Sequence, residues 1–441
     1  MKASRRTIVL GAGLAGLGAA RRHPEALVAE AADDVGGLCA SSVVDGFTFD
    51  RAGHVWHFAE ARVRRAVEDW LGMALRPHRR RAAVSYQGRL LPYPFQLALG
   101  RLPADAAQAA REGLLRAAAE AGHAGPRTPR PHTGVDSQAA PGAGAAGETL
   151  ERACLARYGE GITRLFVDPY HEKLLGCTPA DMLADPLIRF MPDPGVATML
   201  ASLREDQAYE GYNAEFRHVP GGCGRVCDAL AATTPGLRRD ARATALDCAG
   251  STVTVGDSTE RFHRLVATIP LRDLALMTVD LPAPLREAAT ALRAAAVVVV
   301  NLGVAGPPVH DLHWVYVPEP EHPFYRVGWY SNFAPECCPA GCHAMYVELP
   351  ASWWDTQPEP ARLPGVLSAL ERCGFVDDGR RVVTAEVLRL DPAYVVPTRE
   401  ATAARDALLA WYAERGVVLH GRYALWSYLA MDDVVAASLV I

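Results

Sequence analysis

Gly11-Ala12-Gly13-Leu14-Ala15-Gly16 separates the strand-like run Arg6-Thr7-Ile8-Val9-Leu10 from a helix-forming stretch that extends through Arg22. The three glycines have distinct uses. Gly11 allows a tight strand-to-helix turn, Gly13 lets a pyrophosphate approach the backbone, and Gly16 lets helix and strand pack closely. A helix that starts here offers free N–H groups and a partial positive charge to phosphate oxygens. Leu27-Val28-Ala29 reads as a second buried strand. It ends at Glu30, about 20 residues on, where a carboxylate can hold a ribose hydroxyl. These residues predict a cradle for an adenine dinucleotide, and leave open which dinucleotide and which reaction.

The elements that position such a site occupy a 441-residue chain, long enough for two or three subdomains. Half of the residues are hydrophobic and the net charge is −5. That excludes a basic footprint for nucleic acid and an acidic, disordered character. An anionic ligand must then be held by local arginines and not by a global field. The most apolar run, Ala294 to Val300, is far too short to span a membrane and reads as a buried strand. Lys2, Arg5 and Arg6 lead into the first strand without the apolar region of a secretory signal. The ten cysteines are scattered, and Cys337, Cys338 and Cys342 lack zinc-site spacing. The expectation is a cytoplasmic protein with reduced thiols and no metal site; its oligomeric state is not readable.

Residues 1–59 read as strand, helix, strand and loop, the first part of a nucleotide-binding domain. Residues 60–212 are mainly helical, interrupted by strand-like Ala82 to Leu91. Within them, 125–147 is rich in Pro, Gly, Ala, Thr and Ser without apolar periodicity, and predicts a flexible loop. Residues 213–270 return to the nucleotide domain and end in the apolar strand Leu265 to Thr268. Short strands dominate from Val297 to Leu349 within a sheet-rich segment, 271–395, and 396–441 close on a helix, a strand and a terminal helix from about Asp432. Such interleaving predicts an α/β fold of flavoprotein type: a Rossmann-like FAD-binding domain, an inserted mainly helical subdomain and an antiparallel-sheet substrate domain.

Further motifs follow the glycine loop in order: Gly36-Gly37-Leu38-Cys39-Ala40-Ser41, then Asp45-Gly46-Phe47-Thr48-Phe49-Asp50 and Ala52-Gly53-His54-Val55. This succession resembles the FAD-binding amine oxidase and protoporphyrinogen oxidase superfamily. Later come Pro92-Tyr93-Pro94-Phe95-Gln96, His322-Pro323-Phe324-Tyr325-Arg326, Tyr394 followed by Pro397-Thr398, and Gly421-Arg422-Tyr423 with Trp426 and Tyr428. Together these look like the UDP-galactopyranose mutases, particularly those of eukaryotic type, across nearly the whole chain. The resemblance implies FAD that is active when reduced, with NADPH or another reductant as electron source. It also implies a UDP-sugar as the partner molecule. The implied reaction interconverts pyranose and furanose forms of a UDP-hexose through an adduct between reduced flavin N5 and sugar C1.

Residue roles follow from the same resemblance. Gly36 and Gly37 lie against the cofactor phosphates, and Gly53 and His54 form a loop beside the isoalloxazine. Arg80 and Arg422 stand near the flavin, where a cation stabilises the anionic reduced form. Arg326 and Arg189 match the diphosphate clamps; guanidinium is always charged and binds phosphate oxygens through a planar fork. Tyr316, Tyr394 and Tyr428 match tyrosines that face the diphosphate or sugar. Tyr93, Phe95 and Gln96 match the uracil pocket, and Asn213 a further substrate contact.

Several positions depart from the family pattern. Ala52 replaces the first glycine of Gly-Gly-His, His171 an asparagine, and Leu175 a substrate-facing tryptophan. Ala82 replaces a serine, and Asp432 stands at an asparagine near the flavin pyrimidine edge. Two other functions stay open on the sequence: an FAD-dependent oxidase or desaturase of the same superfamily, and a flavin or nucleotide-sugar binding protein without turnover.

Overall fold

The computed structural model describes residues 6–121, 147–208, 210–211 and 213–441. The expected flexible loop, 125–147, lies outside the described residues except for Gly147. Thr7–Leu10 is buried along its length and forms the middle of a five-stranded parallel sheet. The order is Val417–Leu419, Arg264–Ala267, Thr7–Leu10, Leu27–Ala29, Leu237–Arg238. Parallel neighbours cannot be joined by tight turns and need crossovers. Two of these crossovers carry most of the remaining chain. The helical subdomain and two strands of a large second sheet lie between Leu27–Ala29 and Leu237–Arg238, and the other five strands of that sheet lie between Arg264–Ala267 and Val417–Leu419. The last helix, Met431–Ser438, returns to pack on the first, Leu14–Ala20, where Gly18 leaves room for the Ser438 hydroxyl.

The second sheet has seven strands in the order Val382–Val395, Ala294–Ala305, Cys342–Pro350, Arg326–Trp329, Trp314–Tyr316, Ala82–Tyr86, Arg89–Pro92. All neighbours are antiparallel except Trp314–Tyr316 with Ala82–Tyr86. The strands expected from Val297 to Leu349 are longer than the sequence suggests. Ala294–Ala305 runs for 12 residues and Cys342–Pro350 for 9, because both are interior strands buried on two faces. One face packs Val298, Val300, Val347 and Leu349 under the helix Glu359–Arg372; the other faces the nucleotide domain. The strand-like stretch Ala82 to Leu91 is a hairpin. Gln87 and Gly88 both take positive φ (48° and 70°) at its turn, the pattern of a type I′ two-residue hairpin loop.

In the helical subdomain Leu150–Ile162 continues through a π-helical turn, Thr163–Val167, into Asp168–Leu175. Pro169 cannot donate to the carbonyl four residues earlier, and the helix widens just before it. The stretch from Pro186 to Ala208 is less helical than its pattern suggests: it holds part of Asp185–Ile188 and all of Val196–Ala201, separated by Pro192, Pro194 and Gly195. Among the described residues no helix is long and apolar enough to cross a membrane.

Leu150–Ile162 meets Ala104–Ala121 through Gly159, Gly161 and Gly113. Gly159 has φ of 71°, and a Cβ there would overlap the Gly113 backbone. Gly159→Ala therefore combines left-handed strain with a backbone clash. It is expected to destabilise the protein by about 3 kcal/mol in denaturant unfolding.

Candidate functional site

The glycine loop has the geometry that its spacing predicts. Gly11 turns the chain with φ of 97°, and its N–H donates to Ala29 O at 2.8 Å. A Cβ on Gly16 would overlap Gly11 O, so only glycine permits this helix–strand approach. A Cβ on Gly13 would meet nothing closer than Gly36 O at 3.7 Å, which leaves an approachable backbone face at this position. Gly36 and Gly37 have φ of 99° and 54°, and Gly36 N–H donates to Ala12 O at 2.9 Å, so the two glycine turns form one cradle. Glu30 follows Leu27–Ala29 as expected. Its carboxylate accepts Ala12 N–H at 2.7 Å and Ala32 N–H at 3.0 Å, which fixes the loop. A carboxylate has lone pairs beyond these two, enough for a ribose hydroxyl.

The polar centre is built on the sheet face opposite the Val298 layer. Register places Tyr316, Arg326 and Glu348 directly beside one another across three strands, and Trp314, Gly328 and Tyr346 form the next row. Directly paired residues share a face. Arg326 donates through Nε (2.9 Å) and Nη2 to Glu348 Oε1, and that oxygen also accepts Gly53 N–H at 3.2 Å. Glu348 is only 1% exposed. Burial is the largest single influence and opposes charge on the Arg326 guanidinium, but the Glu348 carboxylate together with Tyr346, Tyr394 and Tyr170 outweighs it and raises the group above its ordinary value. Tyr346 passes beneath Gly53 and Gly328, where a Cβ on either glycine would overlap its ring. His54 extends beyond Gly53 with its Nδ1 buried and unpartnered. Ala52, at the first departure from the family pattern, has φ of 159°, close to extended backbone that alanine adopts readily.

Around this row the predicted tyrosines gather. Tyr316 lies 5.1 Å from Tyr93 and 5.6 Å from Tyr170 between ring centroids. Tyr394 stacks on Tyr428 at 6.2 Å, and the Arg422 guanidinium lies 4.8 Å from the Tyr428 ring and 5.4 Å from Tyr394. The charge of Arg326 reaches both Tyr170 and Tyr394, but burial dominates and raises both phenols above the ordinary tyrosine value. Burial raises Tyr428 as well. All three stay protonated at neutral pH and can donate. Arg80 is held between Tyr93 and Trp314, 4.9 Å from each ring, and its Nε and Nη1 are buried without partners.

Other predicted residues sit further out. Phe95 is 2% exposed and packs on Phe166 at 5.2 Å, so it serves as floor more than as an exposed face. Gln96 is also buried, and its carbonyl accepts the Ser202 hydroxyl at 3.0 Å. Asn213 Oδ1 is buried and unpartnered. Arg189 donates to Tyr428 O at 2.6 Å and to Asp433 Oδ2 at 2.7 Å, so its guanidinium buttresses the Tyr428 turn. Asp432 lies in the first turn of the last helix and accepts Ala59 N–H at 3.2 Å; burial, with Asp433 beside it, pushes its carboxyl up to about 6. His171 Nδ1 bonds Val167 O at 2.8 Å, with its ring edge on Tyr170, and burial keeps it neutral. Leu175 is core.

Glu348, Tyr346, Tyr170 and Trp314 belong to the centre and were not singled out by sequence reasoning. Tyr170 is adjacent to the noted His171, and Trp314 is two residues from Tyr316. Glu348 had no such signal, since its strand reads as apolar on both sides.

The cradle and the buried unpartnered atoms of His54, Arg80, Asn213, Arg422 (Nε) and Tyr428 fit a dinucleotide whose second ring system carries several hydrogen-bonding edges. Glu348→Leu would strand the Arg326 charge in a site where it is only 19% exposed. The expected cost is about 3 kcal/mol of unfolding free energy, because breaking a buried pair leaves one charge uncompensated. Denaturant unfolding checks it.

Comparison with known proteins agrees with this architecture. The crystal structure of a reduced UDP-galactopyranose mutase aligns over 99% of this chain and 94% of its own, with a TM-score of 0.86 and 23% identity. A CLA-producing fatty acid isomerase from P. acnes aligns over 99% and 98%, with a TM-score of 0.64 and 16% identity. Putrescine oxidase bound to putrescine aligns over 98% and 97%, with a TM-score of 0.64 and 17% identity. At these identities the shared property is the fold. The model of the family described as flavin containing amine oxidoreductase matches residues 14–383, most of the length, and the chain belongs to that family.

Proposed function

We propose that this protein is a flavin-dependent nucleotide-sugar mutase that interconverts pyranose and furanose forms of a UDP-hexose. The observation that carries the reading is the row Tyr316–Arg326–Glu348 with Tyr170 and Tyr394 around it. A guanidinium held rigidly among protonated phenols suits the oxygens of a diphosphate leaving group. An apolar amine or polyene would leave these donors unsatisfied at a cost. The fold shared with a reduced UDP-galactopyranose mutase supports the same reading.

In this reading Gly11, Gly13, Gly16, Gly36 and Gly37 hold the FAD diphosphate, Glu30 its ribose, and His54, Arg80, Arg422 and Asp432 its ring system. Reduced flavin bound there supplies the nucleophile for the anomeric carbon, so no net electron transfer to substrate is required. Arg326, Tyr316, Tyr394 and Tyr428 bind and orient the diphosphate, and Arg189 keeps Tyr428 in place. Tyr93, Phe95 and Gln96 form the base pocket, with Asn213 a further polar contact. His171, whose ring edge meets Tyr170, and Leu175, in the core, stand where the family pattern has an amide and an indole, so the proposal names the UDP-hexose class and not one particular sugar. NADPH or another reductant prepares the flavin.

The test is to reduce the purified flavoprotein with dithionite, add UDP-galactofuranose or related UDP-sugars, and resolve the products by ring form. Ring isomers are expected with reduced enzyme and not with oxidised enzyme. Arg326→Ala is expected to lower kcat/KM by at least 100-fold, about 3 kcal/mol of transition-state stabilisation. Net substrate oxidation with oxygen uptake, and no ring isomer from any UDP-sugar, would replace this reading with that of an oxidase. Tight UDP binding without turnover would replace it with that of a binding protein.

A further inference from the structure

The chain contains 45 lysines and arginines, of which only Lys2 and Lys173 are lysines. Lys173 lies on the helix Asp168–Leu175, three residues after Tyr170. It is half-buried and forms no ion pair among the described residues. Instead its Nζ donates to three backbone carbonyls: Val317 O at 2.9 Å, Phe324 O at 3.1 Å, and Glu319 O. These carbonyls belong to the loop 317–325, which joins Trp314–Tyr316 to Arg326–Trp329. Val317 N–H donates to Tyr325 O at 2.8 Å and closes the loop at its base. On the far side the Glu319 carboxylate accepts the Ser85 hydroxyl at 3.0 Å and Gln87 N–H at 2.9 Å.

An ammonium presents three donors from one atom, and three carbonyls converging on one point need that arrangement. A guanidinium has more donors, but they lie in a plane and spread over three nitrogens. This explains why a chain that otherwise uses arginine carries lysine here. Tyr316 and Arg326 are the residues on either side of the fastened loop.

We propose that Lys173 is a positioning residue: its ammonium fastens the loop 317–325 to the helix of Tyr170 and so sets Tyr316 and Arg326 against Tyr170 for an anionic ligand. The fastening stands on the geometry alone; its consequence for a diphosphate rests on the nucleotide-sugar reading.

The experiment compares wild type, Lys173→Met and Lys173→Arg as full-length FAD-loaded proteins. Amide hydrogen exchange is followed in the loop and in Thr7–Leu10, UDP dissociation constants are measured, and flavin content is read from absorbance. In both variants, exchange in the loop is expected to accelerate at least tenfold and the UDP Kd to rise at least tenfold. Flavin content and exchange in Thr7–Leu10 are expected to stay at wild-type levels. Unchanged loop exchange overturns the proposal, as does faster exchange with a UDP Kd within twofold of wild type. Full rescue by Lys173→Arg also overturns it, because charge alone would then suffice. If Lys173→Met does not accumulate as a folded flavoprotein, Lys173→Arg, which keeps the charge and stem, carries the test. If wild type binds no UDP, the nucleotide-sugar reading fails, and the loop exchange still decides the fastening.

Discussion

The carboxylate of Glu348 is the constraint around which the two halves of this protein are arranged. An ion taken out of water loses several kcal/mol of solvation unless charge and hydrogen bonds replace it. Glu348 is 1% exposed in the middle of a sheet, and two groups compensate it. Arg326 comes from the next strand, and Gly53 N–H comes from the nucleotide domain. The second contact requires the Gly53-His54 turn to dock on the sheet. A solvent-facing carboxylate would impose no such requirement. Satisfying the buried charge therefore also places the cofactor-side loop against the substrate-side arginine.

The same junction is reinforced by packing and by further hydrogen bonds. Tyr346 fits only because residues 53 and 328 are glycines. One strand pair further on, Asn301 Nδ2 donates to Asp50 O at 3.2 Å and to Glu386 at 2.9 Å, and the Tyr330 hydroxyl donates to Asp50 O at 3.0 Å. Asp50 itself is buried, accepting the Ser41 hydroxyl and Cys223 N–H; burial pushes its carboxyl up to about 6. These contacts put the site on strands and a short tight turn, elements that hold side chains more closely than long loops do.

This arrangement explains what could be read in advance. Gly11, Gly13, Gly16 and Glu30 were legible because a strand–turn–helix with a phosphate-sized gap needs those residues at that spacing. Arg326 and Tyr316 were legible through motifs, yet their neighbourhood was not. Glu348 lies in Cys342–Pro350, whose burial on both faces erases the alternation that would have marked it. The pairing of Ala82–Tyr86 with Trp314–Tyr316 joins residues more than 200 positions apart, and no local pattern encodes that. Nor could periodicity show that Pro192, Pro194 and Gly195 divide a helical stretch, or that Arg189 would meet Asp433.

Charge bookkeeping shifts the weight within the candidate site. Motif matching assigned the attraction for a diphosphate to Arg326 and Arg189. Both are paired with carboxylates, Glu348 and Asp433, so each pair presents direction more than net charge. Among the described residues Arg80 and Arg422 have no carboxylate partner, and both lie over aromatic rings: Tyr93 and Trp314, Tyr394 and Tyr428. A cation held by ring faces keeps much of its field for a ligand, because the ring quadrupole attracts it without neutralising it. Under the nucleotide-sugar reading, Arg80 and Arg422 then supply the positive potential that draws phosphate and stabilises an anionic reduced flavin. Arg326, already oriented by Glu348, supplies the aligned donors that a leaving diphosphate needs. Orientation and charge thus come from different arginines, and the buried carboxylate beneath Arg326 separates the two roles.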